Sequence, residues 1–148
     1  PVVSVMTVNN EVGSVNDIAK VAAIVRELAP AAWLHTDAVQ AACWIDLSEI
    51  TQHVDLLSLS AHKFGGPKGV GLMVVSNGAT PEPILLGGGQ ERGRRSGTID
   101  VAGAVGAAAA LNMMTLTRTE TSNRVRALRD ELLDALLEIG GVNETVSR

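Results

Sequence analysis

The sequence predicts an α/β domain of three layers, helices on either side of a mainly parallel sheet. Three observations lead there. Apolar strand-like runs alternate with helix-spaced segments, an order that calls for parallel pairing through right-handed crossovers. The polar clusters fall at the carboxyl ends of those runs, which is where open α/β sheets bind ligands. Finally, 148 residues with 46% hydrophobic content are enough for one core.

The elements follow in order. Val2 to Met6 reads as a buried strand running into the polar loop Thr7 to Gly13. Ile18, Val21, Ala22, Val25, Leu28 and Ala29 have helical spacing, with Asn16 as the expected cap and Pro30 as the stop. Ala32-Trp33-Leu34-His35 is the second strand, ending in Thr36-Asp37-Ala38-Val39-Gln40. A short helix or turn at 47–52 precedes a third strand at 54–59, which delivers Ser60-Ala61-His62-Lys63. Gly69 to Val75 is expected to run antiparallel, because Gly65-Gly66-Pro67 is too short for a helical crossover. A loop at 76–83, a short strand at Ile84-Leu85-Leu86 and the glycine-rich run Gly87 to Thr98 come next. Asp100 is placed to cap an Ala/Gly-rich helix. A separate amphipathic helix then carries Val125, Leu128, Leu132, Leu136 and Ile139 on one face, and Gly140-Gly141 ends it. Residues 1–113 are read as part of one domain and 114–148 as a helix leading toward a second, smaller one. The chain opens directly on a strand and ends after a helix and turn, so it is read as a piece of a longer protein.

Charge and composition narrow the function. A net charge of −4 and a pI near 5.3 disfavour general nucleic-acid binding, which needs a basic face. The single cysteine, Cys43, forms no internal disulfide and suits a reducing, cytoplasmic setting. It is read as a buried, inert thiol, and His53 as a surface residue. No metal site is expected, since Cys43 lacks a partner at ligand spacing. Val101 to Met114 falls short of the ~20 residues that cross a bilayer, so a buried helix is expected and no membrane contact. The segment around Lys68 lacks the spacing of a P-loop, and Arg92 stands where a dinucleotide fingerprint needs its last glycine.

What remains is a strand-end lysine, an acid on the adjacent strand end and a glycine-rich loop able to turn its N–H groups on an anion. Together they meet the needs of pyridoxal 5'-phosphate (PLP). Lys63 offers the amine for a Schiff base, Asp37 a partner for a protonated ring nitrogen, and the loop donors a seat for phosphate.

Four segments carry a family resemblance: Asn9-Asn10-Glu11-Val12-Gly13, His35 to Gln40, Asp55 to Lys63, and Gly87-Gly88-Gly89-Gln90-Glu91-Arg92-Gly93 through Thr98. In order and spacing they resemble the cysteine desulfurases of the nitrogen-fixation and iron–sulfur-assembly branch. These are PLP enzymes of the class V aminotransferase group. The resemblance implies the large domain of fold type I PLP enzymes, incomplete here. It implies that Lys63 carries the cofactor and moves protons, and that Asp37 pairs with the ring nitrogen. Gln40 would contact the ring hydroxyl, and Ser60 and His62 the phosphate. Asn10 would sit beside cofactor and substrate carboxylate, and Thr98 would reach the phosphate of the partner subunit in a homodimer. The implied reaction takes L-cysteine to alanine and an enzyme persulfide, which a sulfur-acceptor or iron–sulfur scaffold protein receives.

The family's persulfide-forming cysteine and carboxylate-binding arginine lie beyond this chain, which is therefore expected to be inactive alone. Leu86 stands where many relatives have histidine. A selenocysteine lyase or another class V aminotransferase is the nearest alternative. A non-catalytic scaffold is disfavoured, because lysine, acid and glutamine are all present.

Overall fold

The structure is a computed structural model that describes residues 1–76 and 78–144. Four strands, β1 (Val2–Met6), β2 (Trp33–Asp37), β3 (Leu56–Ser60) and β4 (Gly71–Val75), form one sheet in the order β1-β2-β3-β4. The first three are parallel and β4 is antiparallel to β3, as the short glycine connection requires. Helix α1 (Ile18–Leu28) crosses from β1 to β2, and α2 (Leu47–Thr51) lies between β2 and β3. Helix α3 (Val101–Leu137) follows the long loop after β4.

One cluster of buried side chains joins Leu34, Leu57 and Leu59 of the sheet to Ile18, Ala22 and Val25 of α1, Ile50 of α2 and Ala107 of α3. Leu34 and Leu57 are fully buried at neighbouring central strands, each worth about 1.5–3 kcal/mol of burial. The end of the α1 crossover is clamped as well. Asp55 Oδ2 accepts from the Leu34 amide at 2.7 Å and from Arg26 of α1 at 2.9 Å, tying helix, β2 and the entry to β3 together.

Several sequence expectations change. Asp17, not Asn16, caps α1: its carboxylate accepts from the Lys20 amide at 3.0 Å. The Asn16 side chain instead donates to the Met6 carbonyl at 2.7 Å, securing the loop to the end of β1. Leu28, grouped with the buried face of α1, is 76% exposed at the helix end. β1 is only half-buried, with Val2 exposed, because nothing among the described residues lies beyond this edge strand. Ile84-Leu85-Leu86 forms no strand: Ile84 is 94% exposed, and the Leu85 carbonyl accepts from Ser96 N at 3.1 Å within the glycine-rich loop.

The two helices expected after Asp100 are one continuous helix of 37 residues, about 55 Å long. The Asp100 cap holds, its carboxylate accepting from Gly103 N at 2.9 Å. Composition changes along α3, yet no proline interrupts it, and the hydroxyls of Thr115 and Thr117 bond back to the carbonyls of Leu111 and Met113. The division at 113/114 thus falls inside an unbroken helix. The stripe Val125, Leu128, Leu132, Leu136 and Ile139 faces solvent. Among the described residues no helix is long and apolar enough to cross a membrane.

Candidate cofactor site

The carboxyl edge of the parallel strands gathers the candidate residues. After β3 the chain makes a 3-10 turn, Ala61–Phe64. Ala61 and Phe64 are buried while His62 and Lys63 are exposed, so the turn is rooted in the core and presents its polar side chains outward. Gly65 closes it in the left-handed region at φ +85°, and a side chain there would strain the backbone although the space around it is open. The Gly66 amide returns to the Ala61 carbonyl at 2.8 Å, and Ala61 N donates to Val70 O at 3.0 Å. A β-carbon on Gly103 of α3 would lie 2.7 Å from the Val70 side chain, so glycine lets the helix approach this segment closely.

Ser60 and His62 are brought together: Ser60 Oγ and His62 Nδ1 lie 2.9 Å apart. Lys63 forms no ion pair among the described residues, and its carbonyl accepts a bond from the Cys43 thiol at 3.1 Å. Cys43 is half-buried, where full burial was expected, and its thiol is bonded to the lysine-bearing turn. Burial pushes its thiol pKa up, opposed in part by the Arg118 guanidinium. His53 is half-buried, not a free surface residue.

Asp37 is the last residue of β2 and half-buried. Its Oδ1 accepts from Val39 N at 3.0 Å, and its second carboxylate oxygen has no protein partner among the described residues. Its carbonyl accepts from Thr7 N at 2.9 Å, and the next amide, Ala38 N, donates to Ser58 O at 3.0 Å. In the register Asp37 lies opposite Ser58, two residues before Ser60. Asp37 and the Lys63 turn therefore stand at the ends of adjacent parallel strands, whose spacing is about 4.8 Å.

Asn10 and Gln40 both line an open cavity of about 400 Å³, together with Trp44, Arg126 and Arg129. Neither Asp37 nor Lys63 lines that cavity. Thr98 is exposed in the segment before α3, and its side chain bonds to none of the other candidates. The glycine-rich loop closes on itself, with Ser96 Oγ accepting from Gly89 N and Gln90 Oε1 from Gly97 N.

Sequence reasoning missed a hydrogen-bonded chain on the same face as Asp37. His35 Nδ1 meets Ser4 Oγ at 2.8 Å, and His35 Nε2 meets Ser58 Oγ at 2.8 Å. The period of two along β2 puts His35 on the face of Asp37, which was the available signal. The cross-strand partners depend on register. On the other face Thr36 and Thr7 share a buried hydroxyl contact of 2.6 Å, and Thr36 also donates to Val5 O.

The carboxyl edge of the sheet gathers a lysine with no ion pair among the described residues, a strand-end carboxylate and a Ser–His pair. The Aminotransferase class-V model matches residues 1–147, and the chain belongs to that family. Within it, the chain is 41% identical over 131 residues to the cysteine desulfurase IscS of Clostridium botulinum (strain Kyoto / Type A2), covering 88% of this chain and 32% of that protein. It is 42% identical over 137 residues to a cysteine desulfurase of Gluconacetobacter diazotrophicus, covering 93% of this chain and 34% of that one. Among solved structures, a NifS-like protein superposes with a TM-score of 0.89 at 42% identity, over 94% of this chain and 38% of that one. The NifS-like protein from Rickettsia africae ESF-5 gives 0.88 at 30% identity, over 99% and 41%. The chain spans about a third of the length of the curated relatives it matches.

Proposed function

We propose that this chain forms the central part of the cofactor-binding domain of a PLP-dependent cysteine desulfurase. The observation that carries the reading is the pairing of Asp37 and the Lys63 turn on adjacent parallel strand ends, in a class V chain about 40% identical to cysteine desulfurases.

The residues present fit the group. Among the described residues, a primary amine free of ion pairs, a carboxylate with one unbonded oxygen, and a hydroxyl–imidazole pair match an aldehyde, a ring nitrogen and a phosphate in turn. Lys63 Nζ would attach the cofactor and afterwards hold or move a proton at the substrate carbon. Asp37 would hold the ring nitrogen protonated, while Ser60 and His62 would donate to the phosphate. Gln40 would meet the ring hydroxyl and Asn10 the substrate carboxylate, and Thr98 would be contributed across a homodimer. When bound, PLP supplies an electron-withdrawing ring that stabilises negative charge on the substrate carbon. The proposed substrate is L-cysteine, with alanine as product and the sulfur passed through an enzyme persulfide to an acceptor or iron–sulfur scaffold protein in the cytoplasm. Residues 1–113 belong to the large domain, and 114–148 lead toward a small one.

The test uses the full-length protein purified with PLP. The expected result is a visible absorption band that disappears in Lys63→Ala, with alanine released from L-cysteine by the unmodified protein only. A band unchanged in Lys63→Ala refutes the site. Release of alanine from selenocysteine but not from cysteine refutes the desulfurase and leaves the class V lyase.

A further inference from the structure

Resting on the reading above, we propose that His35 is a positioning residue for Asp37, acting through the Ser4–His35–Ser58 chain. The imidazole engages one serine hydroxyl with each ring nitrogen, both at 2.8 Å, and so spans β1, β2 and β3. Rotating the ring breaks both bonds at once. Its Nε2 contact crosses the β2/β3 gap diagonally, because His35 is in register with Leu56 and reaches Ser58, the residue opposite Asp37.

Asp37 is the final residue of β2, and the backbone there is bonded on both sides, Thr7 N donating to the Asp37 carbonyl and Ala38 N to the Ser58 carbonyl. Side-chain bonds of the two residues before it add to these in setting β2 laterally between its neighbours. Thr36 is held on one face by Thr7 and the Val5 carbonyl, and His35 on the other by Ser4 and Ser58. The Thr36 bond is buried and serves the core, whereas the His35 chain lies on the face to which Asp37 and Ser60 belong. A carboxylate must stay within hydrogen-bond reach of a ring nitrogen, and its coupling to that nitrogen weakens with any lateral slip of β2 against β3.

The experiment compares the affinity of the full-length protein for PLP with that for its 1-deaza analogue, which has carbon in place of the ring nitrogen and cannot use Asp37. The variants are His35→Phe, Ser58→Ala and His35→Gln. The unmodified protein is expected to prefer PLP. His35→Phe and Ser58→Ala should shrink that preference by about tenfold or more, the low end of what a carboxylate–cation pair contributes. His35→Gln, which keeps one polar end, should fall between. Equal loss of affinity for both compounds, leaving the ratio unchanged, would mean that His35 serves the fold alone and would overturn the proposal. Ser58→Ala carries the test if His35→Phe does not fold. An unmodified protein that binds both compounds equally would instead sink the role of Asp37, a distinct outcome.

Discussion

Asp37→Asn separates charge from shape at the candidate site. The Val39 amide bond to Oδ1 survives in an asparagine, and the backbone bonds Thr7 N to Asp37 O and Ala38 N to Ser58 O do not involve the side chain. The fold should therefore keep its melting temperature, and only the negative charge is lost. A carboxylate within about 4–6 Å raises the pKa of a cationic partner by roughly 1–3 units, or about 1.4–4 kcal/mol. If the ring nitrogen of PLP is that partner, kcat/KM for alanine release from L-cysteine should fall by about 10- to 1000-fold in Asp37→Asn. The assay is alanine production by the full-length protein at saturating PLP, alongside a thermal melt of each form. A loss of less than twofold with an intact fold would show that Asp37 does not act on the cofactor, and the pairing argument would be wrong.

Two further outcomes follow from the packing and the caps. Leu57→Ala empties a fully buried position on the central strand, and urea unfolding should show a loss of about 2–5 kcal/mol. Acid should loosen the first turns of α1 and α2, because hydrogen bonds from the Lys20 and Ser48 amides hold the Asp17 and Asp46 carboxyls below their ordinary value of 3.8. With folded pKa values below the unfolded ones, the contribution is present above that ordinary value and is lost as pH falls through the folded values. Hydrogen-exchange protection of the Lys20 amide should drop on acidification and lose this dependence in Asp17→Asn. Protection that does not change with pH would contradict the capping role.

Much of the site was legible from local pattern. Strand-forming runs end at Asp37 and just before Lys63, and a β-α-β order obliges those ends to lie at the same edge of a parallel sheet. The connection Gly65-Gly66-Pro67 is short enough to force β4 antiparallel whatever surrounds it. The cap of α3 was readable from Asp100 for the same reason, since a cap acts within three residues.

What failed in the sequence reading depended in one case on strand partners elsewhere in the chain and in another on backbone continuity that composition does not report. An apolar triplet such as Ile84-Leu85-Leu86 becomes a strand only beside another strand, and none of the described ones pairs with it. The change from Ala/Gly-rich to charged composition in α3 suggested two helices, yet helix continuity is decided by backbone bonds, which nothing in Val101–Leu137 breaks. The sequence by itself determined which residue types stand at the carboxyl edge, because strand period and crossover handedness are properties of the local chain. The tertiary structure alone decided which hydroxyls His35 holds and that the Cys43 thiol meets the Lys63 carbonyl, because cross-strand register and loop packing join residues 20 to 31 positions apart.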